Sequence, residues 1–331
     1  MPAPALNEAI ANLSISNITI FVVAATALRL GLIRTRSTLA QSIAELLESG
    51  LLVVVGMFLI VRPFVFQAFF IPSPSMEPTL LGKNGSGDRI LVNKLVYRVA
   101  TPKRDDVVVF IPPPSATDGV TEESPGVPIN FIKRLVGLPG DRLQTTAGRV
   151  WIGGQPYSHA QLRMRLADAG EFGDETLDSD PQADHHIKFT KRGVLIDGRV
   201  MSDARLSNII TGGPNAMIKV EPGLTMIDGR VINEPFTAED PDYDMQLYHG
   251  QPLKLDAMQV PKLDGEVISM QDYMQYRATG PDTVPPHSFF MMGDNRNDSR
   301  DSTEWGPLSS NQVVGRAQAV FWPLNRIRAI H

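Results

Sequence analysis

Hydrophobic residues follow two different patterns along the chain. Up to about residue 70 they come in long runs, the first over residues 10–33 and densest at 18–28, the second over residues 46–61 and densest at 51–60. Runs of that length predict helices long enough to cross a bilayer, although Asn12, Ser14, Ser16, Asn17 and Arg29 dilute the first one. No Lys or Arg precedes Arg29, whereas a cleaved secretory signal carries its positive charge ahead of the apolar core, so this run reads as a retained anchor. Arg29, Arg34 and Arg36 cluster in the polar connection that reaches about Gln41. Their excess predicts a cytoplasmic connection, with the N-terminus and everything after the second run outside. Glu48 falls near the inner end of the second run and Arg62 at its outer end, where a long side chain snorkels to the headgroups. Pro63 then stops the helix, and residues 64–70 hold four phenylalanines without a charge, a surface suited to the membrane interface.

From Gly87 onward the period shortens to two. Residues 88–97, 105–110, 129–138 and 312–322 predict strands, with Pro112-Pro113-Pro114 closing the second and Pro139-Gly140-Asp141 turning after the third. A β-rich domain therefore follows the apolar runs. Residues 115–128 and 170–184 read as exposed loops, rich in proline, glycine or acid. Between 141 and 285 the pattern is weakest: residues 148–152 and 225–232 look like hairpin pieces, and their shared Gly-Arg-Val is too short for a repeat.

Composition narrows the function classes. A net charge of -5 over 331 residues, without a basic stripe, argues against a nucleic-acid partner. The absence of cysteine excludes disulfides, thiolate chemistry and cysteine-held metals. His185-His186 beside Asp184, and Asp240, Asp242 and Asp244, lack the remainder of any recognisable ligand spacing and read as solvated loops, so no metal or other cofactor is expected.

Two stretches are chemically conspicuous. Ile71-Pro72-Ser73-Pro74-Ser75-Met76-Glu77-Pro78-Thr79-Leu80 delivers a rigid, hydroxyl-bearing turn directly after the most apolar part of the chain; a proline-rich linker is the alternative. Residues 288–302 form an apolar strand that runs into Gly293-Asp294-Asn295-Arg296-Asn297-Asp298-Ser299, a turn able to organise many hydrogen bonds. Lys133, between Phe131-Ile132 and Leu135-Val136, would have its proton affinity lowered by burial, and a neutral lysine can activate a serine hydroxyl. An exposed charge is the alternative for Lys133. Strand alternation turns its neighbour Arg134 the other way, as a structural ion-pair partner.

Three stretches resemble, in order, the signature boxes of bacterial type I signal peptidases (leader peptidases): residues 71–80, Phe131-Ile132-Lys133-Arg134-Leu135-Val136-Gly137-Leu138-Pro139-Gly140-Asp141, and residues 292–302. Residues 87–94 look like a weaker box, and the resemblance covers roughly 46–141 and 288–322. It implies a membrane-bound serine endopeptidase that removes signal peptides from exported precursors after small residues, with a Ser-Lys dyad on a mostly antiparallel β fold. By motif position Ser75 would be the nucleophile, Lys133 the general base, Ser73 an oxyanion donor and Ser299 a hydroxyl orienting the lysine. Ile71, Met76, Leu80, Phe131 and Ile132 would supply shallow apolar pockets for the substrate, with Arg134, Asp294 and Asp301 in support. Pro74 stands where glycine is common, and Thr303 where arginine often pairs with the aspartate matching Asp301, which leaves that carboxylate's partner open. The middle segment is longer than in many relatives.

The expected organisation is a first transmembrane helix with its cytoplasmic loop (1–45), a second transmembrane helix (46–63), and an extracytoplasmic catalytic core in two parts (64–141 and 288–331) around an insertion or second β subdomain (142–287). Its partners would be signal peptides and the lipid bilayer of the cell membrane. Two other function classes compete: a Ser-His-Asp hydrolase built on His287 with Asp294 or Asp301, although Ser75 lacks a Gly-x-Ser-x-Gly elbow, and a non-catalytic, membrane-anchored interaction domain.

Overall fold

The computed structural model describes residues 15–35, 37–57, 65–83, 86–117, 129–172 and 185–331. Arg36, Arg62, Pro63, Phe64 and most of the two loops expected at 115–128 and 170–184 lie outside these residues. The chain divides into two compact units, Met1–Gln67 and Ala68–His331.

In the first unit the apolar runs form two helices, Ile15–Ile33 and Thr38–Gly56, with Arg29 bonded to Glu48. No helix among the described residues is long and apolar enough to cross a membrane, so the two expected transmembrane helices are not supported there. Thr38–Gly56 starts well before the apolar run and so takes in Gln41, Ser42, Glu45, Glu48 and Ser49. Ile15–Ile33 carries Asn17 and Arg29 within a length of 19 residues, about 28 Å at 1.5 Å each.

The second unit is mainly β. Its eight-stranded sheet runs in the order Phe66–Phe70, Arg89–Asn93, Val313–Trp322, Val107–Phe110, Phe131–Gly137, Ser288–Met292 and Leu308–Ser309, with Arg328–Ala329 added beside Val313–Trp322. Phe131–Gly137 lies between Val107–Phe110 and Ser288–Met292, antiparallel to both. Its flanking strands are so apolar that Val107 to Phe110 are buried without alternation, which marks a strand covered on both faces. One apolar cluster gathers Ile71, Met76, Leu80, Ile90, Val92 and Val107; another gathers Val108, Phe110, Leu135, Phe289 and Trp305.

A seven-stranded antiparallel sheet and two three-stranded sheets build the 142–287 segment. The piece at 225–232 is a hairpin: Leu224–Ile227 returns as Arg230–Val231 through Asp228 and Gly229, both at positive φ. Among the described residues, the helices His159–Asp168, Asp203–Thr211 and Met270–Arg277 interrupt the strands. The first opens with a capping box in which Ser158 and Gln161 satisfy each other's backbone N–H.

Asp240, expected in a solvated loop, is instead buried. Its carboxylate accepts from the N–H groups of Phe189 and Gly223 and pairs with buried His159 Nε2 at 2.7 Å. Asp244 pairs with Arg277, and His186 lies 3.6 Å from Glu77 in the hydroxyl-bearing turn. These acidic and histidine residues are absorbed by internal pairing.

Candidate active site

Local chemistry shapes the turn at residues 73–77. Pro74 occupies the first position of a short 3-10 helix, Pro74–Met76, where its fixed φ and missing N–H cost nothing. Glu77 N–H closes the turn on the Pro74 carbonyl, and Leu80 N–H bonds back to Met76. Met76 and Leu80 lie fully within the core and anchor the turn from beneath. Gly82 packs so tightly on Ser73 that a Cβ there would fall on the Ser73 carbonyl, so only glycine lets the chain pass.

Lys133 comes from the middle of Phe131–Gly137, and its Nζ stands 2.6 Å from Ser75 Oγ. Both side chains are nearly closed to solvent, at 5% and 7% exposure. Ser73, on the exposed side of the turn, has its Oγ 3.3 Å from Ser75 Oγ. Burial pushes the Lys133 amine down to about 8, against the opposing influence of Asp301, Asp294 and Asp298. At pH 7 such a lysine is neutral in about one molecule in ten, compared with about one in 2,500 for a solvated lysine near pKa 10.4. A neutral amine in this position can take the hydroxyl proton.

Behind the pair lies a buried ionic frame. Arg134 grips Asp294 with two bonds of 2.7 Å, stacks 3.8 Å over the Phe236 ring and donates to the Asp105 carbonyl. Thr79, on the serine turn, donates to Asp294 Oδ2, which also accepts from Arg134. Among the described residues Asp301 makes no ion pair; it accepts from Gly293 N–H and from both the N–H and Oγ of Thr303, capping the helix Ser302–Trp305. Thr303 therefore satisfies that carboxylate by hydrogen bonds where an arginine would have supplied charge.

The 293–299 turn presses on Ser75. Asn295 N–H donates to the Ser75 carbonyl at 3.2 Å, and a Cβ on Gly293 would stand 2.5 Å from that same oxygen and overlap Ser299 Oγ. Ser299 does not make the expected bond to the lysine. Its Oγ is buried without a hydrogen-bond partner among the described residues, and the bond that Lys133 Nζ makes is to Ser75.

Among the residues expected to contact substrate, Ile71, Met76 and Leu80 are sealed in the core, whereas Phe131 and Ile132 remain half-buried at the start of their strand. The triad alternative finds no geometry: His287 is exposed, and Asp294 and Asp301 are engaged with Arg134, Thr79, Gly293 and Thr303. Sequence reasoning missed Thr79 and Asn295, and also Glu234, whose carboxylate holds buried Arg296 of the same turn. Only a contact across some 60 residues reveals the last of these.

A family model described as signal peptidase, peptidase S26, matches residues 43–207 and 203–322. Signal peptidase I of Leptolyngbya laminosa is 27% identical over 267 residues, spanning 81% of this chain and 74% of the relative. That of Aquifex aeolicus is 27% identical over 284 residues, 84% of this chain and 83% of the relative. That of Buchnera aphidicola subsp. Baizongia pistaciae is 26% identical over 268 residues, 80% and 72% respectively. A match over most of the β unit, on a mainly antiparallel fold with a serine turn at its centre, carries the assignment: the chain belongs to the signal peptidase, peptidase S26, family of serine endopeptidases.

Proposed function

We propose that this protein removes N-terminal signal peptides from exported precursors, with Ser75 as nucleophile and Lys133 as general base. The observation that carries the reading is the buried 2.6 Å contact between Lys133 Nζ and Ser75 Oγ. Neutral Lys133 takes the Ser75 proton as Oγ attacks the scissile carbonyl. The ammonium then gives that proton to the leaving amine, and water, activated by the same lysine, releases the acyl-enzyme. Ser73 Oγ and a backbone N–H of the turn stabilise the oxyanion.

Phe131 and Ile132 border the entrance to this site and form shallow apolar contacts for an extended peptide. Small residues at the first and third positions before the cut fit there, and large ones are rejected by overlap. The enzyme works at a lipid bilayer, its catalytic unit on the extracytoplasmic side. Supporting this are the uncovered side chains Ile20, Phe21, Val23 and Leu28 on one N-terminal helix and Leu46, Leu52 and Val53 on the other, an apolar area larger than scattered surface residues account for.

The test is cleavage of a purified precursor by the full chain, with the new N-terminus read by mass spectrometry. Wild type should cut after a small residue, and Ser75→Ala and Lys133→Ala should each be inactive while still folded. Cleavage by Ser75→Ala at the wild-type rate would refute the reading.

A further inference from the structure

Three carboxylates act on Lys133: Asp294, Asp298 and Asp301. Two are already committed. Asp294 is neutralised by the bidentate Arg134 and bonded to Thr79, and Asp301 accepts three hydrogen bonds from Gly293 and Thr303. Asp298 differs, because its Oδ2 is buried and has no hydrogen-bond partner. Ser299 Oγ, of the next residue, is unpartnered as well, so consecutive residues of the turn that presses against Ser75 each carry a buried oxygen without a partner. A buried acceptor without a donor costs about 1–3 kcal/mol, and in a native structure it calls for a reason.

The reaction supplies one. In the resting state Lys133 has its hydrogen bond to Ser75. When the Ser75 O–H bond breaks and an Nζ–H bond forms, Oγ becomes bonded to the acyl carbon and no longer carries a negative charge, while the nitrogen has become an ammonium with three donors. We propose that Asp298 is a positioning residue for the Ser75–Lys133 reaction, its free carboxylate oxygen stabilising the Lys133 ammonium formed by proton transfer, until the proton passes to the leaving amine. This rests on the reading of Lys133 as the base.

The surroundings of Asp298 fit a carboxylate held ready for a cation. Burial raises its proton affinity, Lys133 lowers it, Glu239 and Glu77 raise it again, and Arg163 lowers it. Its charge is thus costly in the resting site and favoured as soon as a full positive charge appears nearby. Asn297, its neighbour, is fixed to Glu239 and to the Asp240 carbonyl, so the backbone at this point of the turn is held in place.

The test uses two readouts on the full chain for wild type, Asp298→Asn and Asp298→Glu. One is the pH profile of kcat/KM for precursor cleavage. The other is the pH at which folding stability begins to rise in the alkaline range, which reports Lys133 deprotonation whether or not the lysine is catalytic. Losing the charge should move both toward acid by about one pH unit, the order expected for removing one partly screened negative charge, and should lower the alkaline plateau several-fold as the base weakens. Asp298→Glu should restore both positions. A folded Asp298→Asn protein whose plateau falls while neither midpoint moves would overturn the proposal, since a packing role lowers rate without changing a titration. If Asp298→Asn is too unstable to measure, Asp298→Ser carries the same expectation. A stability midpoint that moves while the activity profile stays still would overturn the base role of Lys133 and, with it, this proposal.

Discussion

Replacing Lys133 by Met should abolish cleavage and, at neutral pH, make the folded protein more stable. The side chains are similar in length, so Met fills the same buried space without bringing a charge into it. In the fold the lysine titrates at about 8 and as a free side chain at 10.5. That difference of about 2.5 pH units, at ~1.36 kcal/mol each, is ~3 kcal/mol of destabilisation while both states carry the proton. Below pH 8 the folded state bears the full cost. Between about 8 and 10.5 the unfolded chain holds a proton that the folded chain has released, so wild-type stability rises with pH; above 10.5 the cost is gone. The Met variant lacks this rise. Its advantage over wild type should be ~3 kcal/mol near pH 7, less ~1 kcal/mol for the lost bond to Ser75, and should vanish by about pH 10.5. Urea unfolding of both proteins at pH 6.5 to 10.5, followed by tryptophan fluorescence, gives the difference directly, and other titrating groups cancel between the two. Stability curves that run parallel from pH 7 to 10 would refute the reasoning, because they would mean that Lys133 is not desolvated.

Ser73→Ala removes the proposed side-chain oxyanion donor and should lower kcat on the order of 100-fold to 1000-fold with KM little changed, measured by steady-state cleavage of a peptide spanning the cut. Arg134→Met leaves Asp294 charged and buried beneath the serine turn, which should cost about 3–5 kcal/mol in urea unfolding; a loss under 1 kcal/mol would show that the pair is dispensable. Gly293→Ala puts a methyl group against the Ser75 carbonyl and Ser299, and should cut kcat sharply while the melting temperature changes less than for Arg134→Met. His159 has its proton affinity changed first by burial, which lowers it, and then by the overriding charge of and bond to Asp240, with a net rise. Its ion pair therefore contributes most below pH 6.5 and is lost as pH rises through the higher folded value, so the stability lost in His159→Gln should shrink on going alkaline, the opposite trend to that at Lys133.

What could be read in advance follows from how local each determinant is. The strand at 107–110 shows as a short apolar run because both its faces are covered, and the turn at 74–76 shows because proline restricts its own φ and the residue before it. The helix His159–Asp168 also had a local signature, the Ser158 and Gln161 box with Leu162 and Leu166 four apart, but its moderate hydrophobicity was masked by the acid-rich sequence around it. Hydrophobic density in the sequence locates both N-terminal helices, but it does not show that Thr38–Gly56 begins early enough to include Glu45 and Glu48. The burial of Asp240 had no local signal. An aspartate in an acidic loop looks solvated until Phe189 and Gly223 bring N–H groups and His159 a ring nitrogen to it, from three separate parts of the chain.

The site shows the same division. Lys133 and Arg134 are adjacent, and alternation alone sends them to different neighbours, yet sequence cannot say that one meets a hydroxyl 58 residues away and the other a carboxylate 160 residues away. Burial sharpens the contrast. Arg134 remains charged, because a guanidinium does not give up its proton in a protein, so its burial demands the bidentate carboxylate it has. Lys133 can discharge, so it tolerates a site where, among the described residues, it makes no ion pair. Exchanging the two residue types would defeat both positions: arginine at 133 could not become neutral to accept a proton from Ser75, and lysine at 134 would lose one of the two bonds to Asp294. Lys133→Arg should therefore be inactive in precursor cleavage at every pH up to 10.5, even if the protein remains folded. Recovery of activity at alkaline pH in that variant would show that the positive charge, and not proton transfer, is what Ser75 requires.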